Sequence, residues 1–483
     1  MQSIVMKFGG TSVGDAQRIA QVVKIIKDFR RGAFRDWLKE YRDPVRAVVV
    51  VSAMEGVTDA LVEAARSAAR RDGQTFQHTA QELRRCHREA AEALQTSGEG
   101  GANLRAEIEA LVSGFQNLCQ AIYILGELTP RGLDAVASLG EQLSARIVTA
   151  ALNEQSLPAR LVEATQLIVT DDHYGAASPL MEATRERVRA VLLPLLAEEI
   201  TPVVTGFIAA TADGVTTTLG RGGSDYSAAI LGSCLDSQEV WIWTDVNGVL
   251  TADPRVVPEA QTLPAISYAE AAELSYFGAK VLYPKTVLPA MEQGIPLRIL
   301  NTFEPQHPGT MILSDVQADR YVVKGITAIK GLSLLTVEGR GMIGVPGMAA
   351  KLFSAVANQG ISVLMISQSS SEQNICFVIR QEDTGQALAA LETAFELELA
   401  QRNVDRIWAQ NEVAIVAAVG AGMKGTPGVA AKIFGALGQR GINVISIAQG
   451  SSEYNLSLVV AEQDADQAVR AIHQEFGLGR ETV

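Results

Sequence analysis

A chain of 483 residues exceeds the usual size of one hydrophobic core, so two or more domains are expected. Its 41 basic and 54 acidic side chains give a net charge of −13, which excludes the basic surface that nucleic acid demands. Cys86, Cys119, Cys234 and Cys376 have neither metal-ligand spacing nor the density of a disulfide framework, and no apolar run approaches the roughly 20 residues of a membrane span, so a cytoplasmic chain with no bound metal and no membrane partner is expected.

Ile4 to Phe8 read as a buried strand and Asp15 to Ile26 as the helix after it. Between them, Lys7-Phe8-Gly9-Gly10-Thr11-Ser12 joins a cation to glycines whose backbone N–H groups can approach an anion closely, which suits a nucleotide phosphate. An ordinary strand-to-helix turn with a surface lysine fits the same residues. Arg46 to Met54 reads as a buried parallel strand, and so do Pro202 to Phe207 and Val240 to Val246. Thr58 to Arg71, Gln81 to Gln95 and Ala102 to Ile124 look helical. This alternation predicts an α/β sandwich with ligands at the carboxyl ends of its strands.

Phosphoryl transfer to a carboxylate needs positive charge at the moving group, donors for the leaving phosphate and a clamp on the acceptor. Lys7 and the Gly9-Gly10 amides suit the phosphates. Leu219-Gly220-Arg221-Gly222-Gly223-Ser224-Asp225 precedes a helix predicted over Tyr226 to Gly232, and its amides form a second anion-receptive end. Arg221 suits a bidentate grip on a carboxylate, and Asp225 suits orientation of Lys7 or approach to Mg²⁺; a flexible Gly-Arg-Gly-Gly turn is the plainer reading. Glu141 suits an ammonium group or, equally, a helix dipole; Thr58, after Ser52-Ala53-Met54-Glu55-Gly56-Val57, suits a ligand or a helix cap. The stretch Trp243 to Arg255 turns at Asn247-Gly248 and Asp253-Pro254, a composition fit for a base and ribose but also common in loops.

Pro305 to Gly309 mark a plausible boundary, and a repeat follows. Gly344-Val345-Pro346-Gly347-Met348-Ala349-Ala350-Lys351-Leu352-Phe353 recurs as Gly425-Thr426-Pro427-Gly428-Val429-Ala430-Ala431-Lys432-Ile433-Phe434; Gln368, Glu372 and Asn374 recur at the same spacing as Gln449, Glu453 and Asn455. In the second copy the predicted elements are strands over Val413 to Val419, Asn443 to Ile447 and Asn455 to Val460 and helices over Val429 to Leu437 and Ala465 to Phe476. No closing strand follows, so Val322 to Ile329 is expected to supply it. Gly339 to Gly344 and Gly420 to Gly425 both match GxGxxG, yet no acidic residue ends the next strand and each module is too short for a dinucleotide fold.

Lys7 to Ser12, Ser52 to Asp59, Gly220 to Asp225, Trp243 to Arg255 and Phe277-Gly278-Ala279-Lys280 together resemble the aspartate kinases of the amino-acid kinase superfamily, over nearly the whole chain. The doubled module is similar to the paired ACT domains such enzymes carry for feedback control. Its Gln-Ser and Gln-Gly turns look most like the kinase portion of bifunctional aspartate kinase/homoserine dehydrogenases, although a monofunctional chain is expected because the sequence stops where a dehydrogenase would begin. The resemblance implies a three-layer α/β sandwich with a mainly parallel sheet over 1–305, a linker and donated strand over 306–330, and ferredoxin-like ACT domains over 331–410 and 411–483.

It also implies phosphorylation of L-aspartate by MgATP, a co-substrate rather than a tightly bound cofactor, to 4-phospho-L-aspartate on the route to lysine, threonine, methionine and diaminopimelate. Lys7 and Asp225 then carry catalysis, and Ser52, Thr58, Glu141, Arg221 and Ser224 hold aspartate. Lys7, Gly9, Gly10, Ser12, Thr244, Asp245, Leu250, Arg255 and Lys280 stand at nucleotide positions. Leu250 replaces a tyrosine common in relatives and Tyr283 a histidine, which bears on the shape of the adenine pocket. Gln368, Asn374, Gln449 and Asn455 are expected to hold the effector; being uncharged, they favour threonine, with lysine the alternative. A homodimer or higher homo-oligomer is expected. Two rival readings are a kinase for another small acid, such as acetylglutamate, and an amino-acid sensor with an inactive kinase half; the match at Ser52 to Thr58 opposes the first, and retention of Lys7, Arg221, Asp225 and Lys280 opposes the second.

Overall fold

The computed structural model describes residues 2–41, 44–94, 98–276, 282–314, 316 and 321–479. The chain divides into two compact units. The first comprises Met1–Val249, Pro264–Tyr268 and Val281–Val316, and the second Leu250–Leu263, Ala269–Lys280 and Gln317–Val483.

Among the described residues the first unit holds β1 (Gln2–Phe8), β2 (Val45–Val51), β3 (Ala159–Val162), β4 (Val169–Thr170), β5 (Thr201–Thr205), β6 (Ile208–Thr211), β7 (Thr216–Thr218), β8 (Glu239–Thr244), β9 (Ala265–Ser267), β10 (Leu297–Asn301) and β11 (Thr310–Leu313). Eight of these form one sheet in the order β3-β5-β2-β1-β8-β10-β11-β9, parallel except where β11 runs antiparallel to β10; β4, β6 and β7 form a small second sheet. The strand β1 lies centrally between β2 and β8 and is covered on both faces, which explains its unbroken apolar run. Ile4, Met6 and Phe8 share a core with the helices Ala16–Arg30, Val57–Ala69 and Leu139–Glu154. On the other face the helix Gly223–Leu235 comes so close that a Cβ on Gly232 would lie 2.6 Å from Val240 Cγ2. The result is the helix–sheet–helix sandwich that the alternating pattern predicts.

The second unit contains β12 (Gly325–Glu338), β13 (Met365–Gln368), β14 (Asn374–Arg380), β15 (Arg406–Val419), β16 (Ser446–Ala448) and β17 (Asn455–Ala461), one antiparallel sheet in the order β13-β14-β12-β15-β17-β16. Its two longest strands each serve both repeats. Gly325–Ile329 pair with Ile415–Val419 of the second copy, whereas Leu334–Glu338 pair with Arg406–Gln410 and also with β14 of the first. A register shift between Ile329 and Leu332, with Gly331 at φ 72°, separates the halves. The expected donor segment is therefore the first part of a continuous strand and completes the second copy, whereas the first copy closes with its own Arg406–Gln410 and lies inserted between the two parts of the second. The helices Met348–Ala357 and Thr384–Ala394 cover the first copy, and Val429–Gly438 and Ala465–Glu475 the second.

This arrangement gives the two GxGxxG stretches a structural purpose. A Cβ on Gly341 would lie 2.5 Å from Asn403 Cα, and one on Gly422 would lie 2.9 Å from Val322 Cα, so each turn passes directly over the chain entering the half-strand that completes its own copy. Only glycine fits that crossing. Two segments inside the span 1–305 also belong to the second unit: Ile326 N donates to Thr251 O at 2.8 Å, and buried Lys324 and Glu270 pair at 3.1 Å.

Candidate active site

The carboxyl ends of β1, β2, β5 and β8 converge in the first unit. Lys7, the penultimate residue of β1, places Nζ 2.5 Å from Asp225 Oδ1, with both side chains largely covered. Asp225 lies in the first turn of the helix Gly223–Leu235, which begins after Gly222 at φ 72°. The ammonium rests beside Gly9, where a Cβ would sit 3.5 Å from Nζ, and Gly9 N donates to Trp243 O at 3.2 Å. Gly10 abuts the end of β2, its imagined Cβ 3.1 Å from Ala53 O. The lysine, the paired aspartate and the glycine backbone are thus brought together by β1, β2, β8 and the first turn of the helix Gly223–Leu235.

Glu141 enters from the helix Leu139–Glu154. Gly140 lets that helix close on the β2 turn, since a Cβ there would meet Ala53 Cβ at 2.7 Å. One carboxylate oxygen of Glu141 accepts from Ala53 N at 3.1 Å; the other, Oε2, is buried with no hydrogen-bond partner among the described residues. Glu141 is 3% exposed, and burial pushes its pKa up to about 8, against the opposing pull of the Ala53 N–H and the nearby Lys7 charge. Such a group calls for a cation. Ser52 adjoins this corner, its N–H donating to Phe8 O at 3.1 Å.

The Arg221 turn is folded by two left-handed glycines, Gly220 at φ 75° and Gly222 at φ 72°, and Arg221 itself is exposed. Ser224 presses on the end of β5, where a Cβ on Gly206 would lie 2.7 Å from Ser224 Cβ. Next to it Phe207 adopts φ 66°, a strained conformation for an aromatic residue, held because Phe207 N donates to Ser227 Oγ at 3.0 Å and Phe207 O accepts from Leu219 N at 2.9 Å. Sequence reasoning misses Gly206-Phe207, because a buried strand followed by glycine carries no mark of positive φ on the next residue.

Other expected residues lie in varied settings. Thr58 is half-buried at the second position of the helix Val57–Ala69; Gly56 at φ 77° takes the cap position, so Thr58 is not the cap. Ser12 is fully buried, its hydroxyl 2.7 Å from Thr302 Oγ1, and it fastens the β1 turn to the chain after β10. Thr244 Oγ1 donates to Asp245 Oδ1 at 3.0 Å at the end of β8. Leu250 and Arg255 belong to the second unit, where exposed Arg255 places Nη2 2.6 Å from Asp253 Oδ2. Lys280 lies outside the described residues.

Gln368 ends β13 and, with Glu372 and the Gly344–Ala349 turn, lines a cavity of about 270 Å³ in the first repeat. Glu372 and Glu453, at φ 55° and 56°, accept from Gly344 N at 2.9 Å and Gly425 N at 2.7 Å, so the repeats close their turns alike. Gln449 is exposed just after β16; Asn374 opens β14, and Asn455 opens β17 with its side-chain amide donating to Glu273. Among the described residues no cluster of His, Cys, Asp and Glu forms a metal site, and no helix is long and apolar enough to cross a membrane.

Residues 2–301 match the amino acid kinase family, and residues 335–395 and 416–476 each match an ACT domain. The chain is 38% identical to bifunctional aspartokinase/homoserine dehydrogenase 1, chloroplastic, of Zea mays, over 99% of this chain and 51% of that protein, so it spans about half the length of this relative. It is 33% identical to aspartokinase 2, chloroplastic, of Arabidopsis thaliana, over 98% of this chain and 84% of that one. The solved structure of E. coli aspartokinase III with aspartate and ADP superposes with a TM-score of 0.81 at 31% identity, covering 98% of this chain and 99% of that chain. The same enzyme with lysine and aspartate gives a TM-score of 0.77 at 31% identity, covering 99% and 100%. Family match, paired ACT matches and full-length structural likeness agree with the converging Lys7, Asp225 and Glu141, and the chain belongs to the aspartokinases of the amino acid kinase family.

Proposed function

We propose that the chain catalyses ATP-dependent phosphorylation of L-aspartate on its side-chain carboxylate, giving 4-phospho-L-aspartate and ADP, the opening step toward lysine, threonine, methionine and diaminopimelate. The observation that carries this reading is Glu141, a buried carboxylate close to the Lys7–Asp225 pair with one oxygen unpartnered among the described residues. It fits the α-ammonium of an amino acid, and it disfavours an N-acylated acid, whose amide has no charge to offer. A side-chain carboxylate oxygen of aspartate attacks the γ-phosphorus as the bond to the ADP oxygen breaks. Lys7 neutralises charge on the phosphoryl group in transit, and Asp225 keeps its ammonium in place. Arg221 and Ser224 hold the aspartate carboxylates, with Ser52 and Thr58 beside them. The Gly9 and Gly10 amides, Thr244, Asp245, Leu250, Arg255 and Lys280 serve the nucleotide, and Mg²⁺ arrives with ATP as part of the substrate.

Feedback by an amino acid at the ACT repeats belongs to the same proposal. Its support is the cavity beside Gln368 and the matching Glu372 and Glu453 closures. Threonine is favoured because Gln368 and Gln449 are uncharged; lysine, present in the E. coli structure, is the alternative. The edge strands β13 and β16 support a homodimer or higher homo-oligomer, since open edges invite pairing. Four free cysteines support a cytoplasmic location.

The test is ADP release from MgATP with and without L-aspartate, together with hydroxylamine trapping of the acyl phosphate. Aspartate-dependent ADP with a hydroxamate product is expected. ADP formation indifferent to aspartate would reject the activity.

A further inference from the structure

Asp134, on the helix Pro130–Ala137, is 2% exposed and has no part in the roles assigned so far. Its carboxylate gathers two separate loops. Oδ2 accepts from Gly175 N at 2.9 Å and from Thr218 N at 3.0 Å, and Oδ1 accepts from Thr218 Oγ1 at 2.7 Å. Gly175 lies between β4 and the helix Met181–Ala197; Thr218 ends β7 and leads directly into Leu219-Gly220-Arg221-Gly222. The loops also touch each other. Ala177 N donates to Thr218 O at 2.9 Å, and a Cβ on Gly220 would sit 3.0 Å from Gly175 O.

Arg221 has no such anchor of its own. Among the described residues its guanidinium makes no hydrogen bond or ion pair, and glycines at φ 75° and 72° flank it. A side chain placed this way goes where its backbone turn points, and the upstream end of that turn hangs on Thr218. Burying a carboxylate without a cation is costly unless its oxygens are hydrogen-bonded, and here every one of those bonds goes to the loops that fix the Arg221 turn.

We propose that Asp134 is a positioning residue for Arg221, holding the β7 turn against the Gly175 loop so that the guanidinium meets the carboxylates of the acceptor. This rests on the aspartate-binding role proposed for Arg221. The hub works through geometry, so an amide can replace the acid: in Asp134→Asn the carbonyl oxygen faces the two N–H groups while the amide donates to Thr218 Oγ1, which can accept.

The experiment compares kcat and both KM values for wild type, Asp134→Ala, Asp134→Asn and Thr218→Val, with thermal unfolding of each. Asp134→Ala is expected to raise KM for aspartate more than about tenfold with KM for ATP within about twofold, and Asp134→Asn to restore aspartate binding to within about threefold of wild type. Equal rises in both KM values, or an Asn variant as impaired as the Ala variant, would overturn the proposal. If Asp134→Ala shows no cooperative unfolding, Thr218→Val decides: it keeps both amide bonds and loses the hydroxyl bond, so an aspartate-selective rise of about threefold is expected and an unchanged KM refutes. A wild type that ignores aspartate would refute the activity and this role together, whereas an active wild type without the selective shift refutes the positioning role alone.

Discussion

Replacing Glu141 by glutamine removes a charge that the free protein holds only with difficulty. With its pKa pushed up to about 8 by burial, the carboxyl is ionised in about one molecule in eleven at pH 7. An ammonium-bearing ligand binds the ionised form, so apparent affinity scales with that fraction. KM for aspartate should therefore fall about ninefold from pH 6 to 7, fall about fivefold from pH 7 to 8, and then level off. At pH 7 aspartate binding should release about 0.9 proton, measurable by titration calorimetry in buffers of different ionisation enthalpy. Glu141→Gln should bind aspartate weakly with a flat profile over this range, because glutamine still accepts from Ala53 N but does not titrate. The stability effect has the opposite sense. The folded state keeps a proton that the unfolded chain loses near its ordinary value of 4.5, so wild type loses stability as pH rises from there toward about 8 and the glutamine variant does not. The gap should approach a value on the order of 5 kcal/mol, read by denaturant unfolding at several pH values. A wild-type KM that stays level between about pH 6 and 8, or a glutamine variant that keeps the slope, would refute the ammonium site.

Lys7→Ala should leave a folded protein with turnover below about a tenth of wild type, since it removes charge stabilisation of the phosphoryl group; normal unfolding with near-normal kcat would remove Lys7 from the chemistry. Arg221→Ala should raise KM for aspartate far more than KM for ATP, and an equal change in both would place it outside the acceptor pocket. Gln368→Ala with Gln449→Ala should relieve inhibition by threonine, or by lysine if that proves the effector, while barely altering turnover without effector; unchanged inhibition would reject the assignment.

Local chemistry was legible in the amino-acid order. A lysine and two glycines closing an apolar strand announce an anion site, because glycine's freedom and a cation's charge act over a few residues. The repeat was legible too, since two copies of one pattern need no structure to be compared. Ser12 shows the limit: its motif does not name the partner of its hydroxyl, Thr302, 290 residues away. Asp134 is beyond sequence reading for a related reason, its partners lying 41 and 84 positions along the chain. Positive φ at Phe207 and the unpartnered oxygen of Glu141 likewise arise only when strands and helices pack. By itself the sequence determined the α/β alternation, the doubled module and the residue types available for phosphoryl transfer, because periodicity and composition express local preference. The tertiary structure alone decided which of those residues share one water-poor corner, which are spent as fasteners, and how β12 and β15 divide between the two repeats, because desolvation and hydrogen bonding depend on neighbours that the order of residues does not name.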